Sequence, residues 1–216
     1  MPVKFKTIVI LLFIAIGFST SSHKVFAQLS NEKNLNKAKE DYSFQLSKYQ
    51  KYHDDYVTAK STYISFQTAV SKENALAKTK VILSQTYEVY IAYLLLIKEY
   101  GNSFTWNKND TDKIITFKLL DDEIQYFRQN KSKVDEIRIL EETPKFSNEL
   151  ASYINSKTLP QVNNALATYE VAESEAVYED FRNLSSKLNI FIKSRIDEQN
   201  YASFFANWES EITNIQ

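Results

Sequence analysis

The sequence predicts an all-α fold: an elongated antiparallel helical bundle with coiled-coil character and about four to five long helices. Three observations support this class. Only two of the 216 residues are Gly and three are Pro, whereas folds with many tight turns need far more of both. Apolar residues recur at steps of three and four over long stretches. No strand pattern exceeds four residues, and no hairpin dipeptide is present.

The first 27 residues have the pattern of a secretory signal peptide. Lys4 and Lys6 precede an apolar core over residues 8–18, and small residues follow at the positions a signal peptidase reads, which predicts cleavage between Ala27 and Gln28. The alternative is an uncleaved membrane anchor, but this core is about half the ~20 residues that a spanning helix needs. We therefore expect a signal peptide over 1–27, a single helical-bundle domain over 28–216, and a secreted or extracytoplasmic protein.

The charge balance argues against nucleic acid as a partner. The leader contains three lysines and no acidic residue, so its removal changes the net charge from −1 to −4. Non-specific binding to nucleic acid needs a basic surface. The chain has no Cys, so no disulfide contributes to its stability and the fold must depend on packing.

The first predicted helix covers residues 31–70 and carries a heptad repeat, which predicts a left-handed supercoil against a partner helix. Between the residues that recur every seven positions lie the intermediate positions of the repeat, and Gln45 is the one polar residue among them. Four tyrosines share one register and form the candidate interaction stripe: Tyr42, Tyr49, Tyr56 and Tyr63. The stripe has two interpretations. It packs inside the bundle, or it contacts another subunit or a protein partner, because Tyr is a frequent anchor of interfaces.

The second predicted helix is the hub of the bundle. The heptad register slips near Ser71, which predicts a short turn or a sharp kink there with Ser71 as the helix cap; the alternative is an unbroken helix to Tyr100. From Val89 to Ile97 the helix is apolar on every side, so its neighbours must cover it all round. Gly101 is expected to end it.

Three further helices and a tail complete the prediction. A loop over residues 102–109 precedes a third helix, capped by Asn109 or Asp110 and running to about Leu140. Thr143 and Pro144 form a helix start signal. Pro160 either begins another helix or kinks this one. The apolar pattern then continues through Phe181, Leu184, Leu188 and Phe191, and an amphipathic tail helix spans residues 198–215.

The sequence offers little for catalysis or metal binding. His53 is the single histidine after the leader, and a catalytic triad or a di-iron site needs more. No Gly-rich loop or zinc motif is present. The acidic stretch from Glu170 to Asp180 is either a weak cation site or a solvated helix face, and calcium prefers loop geometry. We therefore expect no catalytic residue, no metal site and no cofactor.

These observations favour an exported, non-enzymatic helical protein that acts by protein–protein contact, with a protein partner or with a second copy of itself. One alternative is an extracytoplasmic small-ligand-binding or sensor bundle, with a candidate pocket among Tyr87, Tyr90, Tyr93 and Trp106. Another is a membrane-active protein that uses Val89 to Ile97 or the tail helix. The apolar run alone is too short to span a membrane, so membrane contact is not favoured.

Overall fold

A computed structural model describes residues 28–104, 106 and 110–193 of the chain. The predicted signal peptide and the predicted tail helix lie outside these residues. The described part contains no strand, which confirms the all-α class. Its elements in chain order are α1 (Gln28–Phe66), α2 (Ala69–Asn102), α3 (Asp110–Lys133), two 3₁₀ turns (Val134–Glu136 and Leu140–Glu142), α4 (Thr143–Tyr153), a π turn (Ile154–Thr158) and α5 (Leu159–Lys193).

The turn between α1 and α2 lies four residues earlier than the register slip indicates. Gln67 adopts a positive φ of 49°, and Thr68 rather than Ser71 is the N-cap of α2. The Thr68 hydroxyl accepts a bond from the Ser71 N–H at 3.1 Å, and the Ser71 hydroxyl accepts one from the Thr68 N–H at 3.0 Å. This reciprocal capping box satisfies two amides that the first turn leaves unpaired. The alternative of one unbroken helix is therefore wrong.

Contacts between α1 and α2 show that the two helices are antiparallel. Tyr42 meets Tyr93 with ring centroids 5.7 Å apart, and further along α1 the Asp55 carboxylate accepts from Lys78 Nζ at 2.8 Å. As the residue number rises on α1, it falls on α2. A two-residue connection between long helices favours this arrangement.

The same reversal joins α2 to α3, and α3 to the helices that follow. Lys98 bonds Asp121 at 2.7 Å, and Glu88 pairs with Lys131. Tyr126 of α3 stacks on Tyr153 of α4, and Glu123, earlier on α3, accepts a hydrogen bond from Thr158, later in the chain. The bundle is therefore up-down-up-down. The third helix ends at Lys133, sooner than the sequence pattern suggests, because two 3₁₀ turns carry the chain to α4.

Pro160 explains the π turn that separates α4 from α5. Proline has no N–H, so it cannot donate to the carbonyl four residues earlier. The chain instead forms a π turn, which contains one residue more than an α-helical turn. In it the Leu159 N–H donates to the Ile154 carbonyl, five residues earlier. Of the two alternatives for Pro160, the structure shows a helix that begins just before the proline, directly after the π turn.

The hub prediction is confirmed by the burial of α2. Between Val89 and Ile97 each side chain is buried except Leu95, which is 37% exposed. Leu94 is fully buried, and Tyr90 stacks on Phe127 of α3 at 5.4 Å. Because α1 covers one side of α2 while α3 and α5 cover others, a helix that is apolar all round is stable in this position.

Candidate functional site

The tyrosine stripe of α1 lies against α2 within the chain. Tyr42 and Tyr49 are buried, at 6% and 8% exposure, while Tyr56 and Tyr63 are half-buried. Burial raises the pKa of Tyr42 and Tyr49 to about 12, because an ionised phenol is poorly solvated there. This placement favours the first interpretation of the stripe, core packing, at its N-terminal half.

Gln45, the polar exception in the repeat, has a partner inside the bundle. Buried Gln85 of α2 donates through Nε2 to the Gln45 side-chain oxygen at 2.9 Å and to the Gln45 backbone carbonyl at 3.0 Å. A single paired polar residue in an apolar seam fixes the register of two helices. The pair therefore favours the observed register of α1 against α2.

Three of the four aromatic residues of the candidate pocket lie in one stretch of the core, whereas Trp106 lies apart from them. Tyr93 faces Tyr42 on α1, whereas Tyr87 and Tyr90 contact Phe127 on α3. Trp106 lies after the end of α2, where its indole N–H donates to the Gly101 carbonyl at 2.9 Å. The structure thus uses these residues as packing groups on several helix faces. A ligand role for them stays a prediction.

An aromatic cluster surrounds Tyr169 where α5 meets the end of α2. Phe104 stacks on Tyr169 with centroids 5.7 Å apart, and Tyr100 and Trp106 meet it edge-on at 6.1 and 5.8 Å. The Tyr169 hydroxyl is buried and has no hydrogen-bond partner among the described residues. A Cβ built on Gly101 would overlap this ring. Gly101 therefore lies inside α2 as a close-packing residue, and the helix ends one residue later than expected, at Asn102.

A buried carboxylate on α3 is the polar centre that sequence reasoning missed. Glu123 is only 3% exposed and accepts bonds from Thr158 Oγ1 at 2.8 Å and from Tyr153 Oη at 2.9 Å. Both donors adjoin the π turn, so the wider turn helps to aim Thr158 at the carboxylate. A signal was available in the sequence, because Glu123 falls between Leu120 and Phe127 at steps of three and four.

His53 and the acidic stretch show no built chemical site among the described residues. His53 is half-exposed and stacks on Tyr49 at 6.1 Å. In the acidic stretch, Glu170 and Glu173 are exposed, and Glu179 lies 3.7 Å from Arg182. No group of three or more His, Cys, Asp or Glu side chains in the described part of the chain could hold a metal ion.

The second half of α5 carries an apolar stripe that the bundle leaves exposed. Its members, called the α5 stripe below, have exposed fractions of 64%, 47%, 66% and 47%, in the order Val177, Phe181, Leu184 and Leu188. The apolar pattern of the sequence continues through Phe181, Leu184, Leu188 and Phe191, but the structure leaves all four exposed. Phe191, three positions after Leu188 and 56% exposed, continues the same row toward the end of the described part of this helix.

A break in spacing explains why the α5 stripe is exposed. The buried face of α5 runs through Val162, Ala165, Tyr169 and Ala172. The next apolar residue of the stripe, Val177, follows Ala172 after five positions and Tyr169 after eight, which turns it about 140° and about 80° around the helix from these two buried residues at 3.6 residues per turn. The stripe therefore lies to one side of the face through which the first half of α5 meets α2 and α3.

One helix in the described part of the chain, α2, is long and apolar enough to cross a membrane, and 67% of the apolar window is buried inside the bundle. The core helix of a soluble bundle passes the same test.

No protein-family model, no curated protein and no solved structure matches the chain. Function must therefore be argued from the residues themselves.

Proposed function

We propose that this chain is an exported, non-enzymatic helical protein that acts by protein–protein contact outside the cytoplasm, and that the α5 stripe is its contact surface. The observation that carries the proposal is the exposure of four large apolar side chains at steps of four, three and four residues. Leaving such a row in water is costly, at about 25 cal/mol per Å² of apolar surface. A partner helix would remove that cost.

The spacing supports a helical partner in particular. Val177, Phe181, Leu184 and Leu188 occupy the a and d positions of two consecutive heptads, the arrangement by which one helix inserts its side chains between those of another. Exposed apolar rows of this kind mark interaction sites more often than isolated exposed residues do. The tyrosine stripe of α1 would then serve the fold, and the α5 stripe would serve the contact.

Photo-crosslinking on the exported chain tests this function. A photo-reactive amino acid at position 184 should form a covalent adduct with one defined protein, which mass spectrometry would identify. The matched control places the same group at Ser186, which is exposed and lies on the opposite side of α5, about 180° from the stripe. Equal adducts at both positions, or none at 184, would contradict the proposal.

N-terminal sequencing of the exported chain would check cleavage after Ala27.

The ligand-binding bundle remains the second candidate, on one specific observation. Within the described part of the chain, the Tyr169 hydroxyl is buried without a hydrogen-bond partner inside an aromatic cluster, and an unpaired buried hydroxyl costs about 1–3 kcal/mol. A small molecule with a hydrogen-bond acceptor would relieve that cost. Thermal shift against a panel of aromatic carboxylates tests it, with Tyr169→Phe as the variant that should lose any stabilisation seen with the parent chain.

A further inference from the structure

We propose that the partner of the α5 stripe is a second copy of this chain, with two α5 helices packed antiparallel across a two-fold axis. This inference rests on the proposed function, because it names the protein that the stripe contacts. It concerns only the described residues of α5 that follow Ala172. Three properties of that segment fit a copy of itself: the spacing of the apolar residues, the flanking charges and the placement of the bundle.

A single antiparallel register matches every member of the stripe. Phe181 and Leu188 occupy a positions, and Val177 and Leu184 occupy d positions. In antiparallel pairs each a position faces a d position of the other helix. Phe181 then faces Leu184 of the second copy, and Val177 faces Leu188 of the second copy. The two-fold axis repeats both contacts, so four apolar layers form, and Phe191, one step beyond the stripe, falls opposite Ser174 of the second copy. A two-fold interface requires this kind of self-complementary surface.

The charges that flank the stripe also match in this register. Asp180 and Lys187 each precede an a position, and antiparallel packing brings such flanking positions of the two helices together on one side of the seam. Asp180 of one chain therefore lies beside Lys187 of the second copy, and the axis repeats the pair. In a parallel arrangement each would instead face an uncharged position, because Ser185 and Ile192 follow at the corresponding offsets.

Placement of the bundle also favours the antiparallel pair. The first half of α5 is occupied by its contacts with α2 and α3, as the burial of Val162 and Tyr169 shows. Antiparallel pairing through the second half puts the two bundles at opposite ends of the joined helices. A parallel pair would bring both bundles to the same end, where they would compete for space.

Disulfide trapping tests the inference, because the chain has no Cys of its own. Phe181→Cys and Leu184→Cys chains are purified separately over residues 28–216, mixed under mild oxidation and separated by mass tags. The expected product is the mixed 181–184 disulfide, at least about tenfold in excess over 184–184, because a tenfold preference corresponds to only about 1.4 kcal/mol of register specificity. A Ser186→Cys chain, on the opposite face, should give no disulfide.

Other outcomes overturn the inference, and thiol labelling of the Leu184→Cys chain then reports on the proposed function. A dominant 184–184 product would mean a parallel pair. If no disulfide forms and the thiol at position 184 reacts quickly with a thiol reagent, the stripe is open to a different protein: the second copy fails and the proposed function stands. If no disulfide forms and that thiol is protected in the monomer, the chain covers its own stripe, and both fail. Far-ultraviolet circular dichroism confirms that each variant remains helical.

Discussion

At the scale of single residues, the strongest local constraint is the buried carboxylate of Glu123. Two hydroxyls, from Thr158 and Tyr153, satisfy its two oxygens. Hydrogen bonds to a charged group are worth about 1.5–3 kcal/mol, and a buried polar group that loses its partner pays the full desolvation cost. The hydrogen bond from Thr158, the last residue of the π turn, to this carboxylate therefore stabilises the π turn.

Thr158→Val should lower the free energy of unfolding by about 1–3 kcal/mol. The change keeps the shape of the side chain and removes only the donor to Glu123. Thr58→Val is the matched control, because Thr58 is exposed on α1. The free energy of unfolding of this variant should lie within about 0.5 kcal/mol of that of the parent. Urea denaturation measures both, and equal midpoints for the two variants would show that the Thr158 bond contributes nothing.

Gly101→Ala should destabilise the chain even though Ala is the better helix former by about 1 kcal/mol. The new Cβ would overlap the Tyr169 ring, and overpacking of a filled core costs about 1–3 kcal/mol. Asn102→Ala, one residue on, is the control for propensity alone. Thermal melting decides the matter, and a higher midpoint for Gly101→Ala than for the parent would show that the contact is loose.

Stability should fall at high pH through the buried tyrosines. The unfolded chain loses a tyrosine proton near pH ~10, while burial holds the pKa of Tyr42 and Tyr49 at about 12 in the fold. The native state therefore binds more protons between these two pKa values. Their contribution is complete below pH ~10 and declines by up to about 1.4 kcal/mol per pH unit for each tyrosine above it.

Melting temperatures from about pH 8 to about pH 12 measure this decline, with phenolate absorbance recorded in parallel. A Tyr42→Phe, Tyr49→Phe chain should show a shallower decline, because it lacks two of the responsible groups. Lysine titration affects both chains alike. If the double variant declines as steeply as the parent, the two tyrosines ionise as freely in the fold as in the unfolded chain.

Residue-scale chemistry was the least predictable part of the molecule. Tyr42 and Tyr49 could be placed on one face from their spacing alone. The spacing of Glu123 also places it on the buried face of its helix, but its donors could not be identified, because they come from residues 30 and 35 positions later. Spacing reports which face a residue occupies on its own helix. It carries no information on which distant hydroxyl will meet that face.

At the scale of helices, the α1–α2 pair holds the register of the fold. Buried Tyr42 and Tyr49 and the Gln45–Gln85 bonds lie along the same seam. The heptad repeat predicted a long helix packed against a partner helix, and the short connection predicted that the two would be antiparallel; the long helix and the antiparallel neighbour are both present. The repeat placed the turn four residues too late, because Val70 fits the repeat although the Thr68–Ser71 capping box has already begun α2.

Tyr49→Asp should lower the melting temperature sharply, by an amount corresponding to about 3 kcal/mol or more, because it buries an unpaired charge. Tyr56→Asp should cost less, since Tyr56 is half-buried and an aspartate there can reach water. Gln50→Asp, exposed on the same helix, controls for the helix propensity of Asp. Similar melting of the Tyr49→Asp and Gln50→Asp chains would mean that the seam at Tyr49 is open.

The α5 helix shows where periodicity misleads. Phe181, Leu184 and Leu188 follow one another at helical spacing, so they suggest a continued core. The five-residue step from Ala172 to Val177 changes the face, and only the position of the other helices reveals that this face points outward. A regular apolar pattern predicts that a surface will be covered. It does not say whether the cover comes from the same chain.

At the scale of the whole molecule, the all-α class and the up-down-up-down order followed from the scarcity of Gly and Pro and from the short connections. The hub role of α2 followed from its apolar run. Function did not follow in the same way, because the described part of the chain concentrates its polar chemistry in a few buried bonds. Among the apolar side chains that this part exposes, the α5 stripe forms a row at regular spacing, and the proposed activity depends on that surface.

Sedimentation velocity of residues 28–216 over a range of micromolar concentrations tests the central claim most directly. We expect a particle with the mass of two chains. Leu184→Glu should reduce it to one, because a charge on the stripe would be buried in the contact, whereas Ser186→Glu, with the same charge on the opposite face of α5, should leave two. A single-chain mass for the parent, or a two-chain mass that persists in Leu184→Glu, would contradict the pairing of two copies through the α5 stripe.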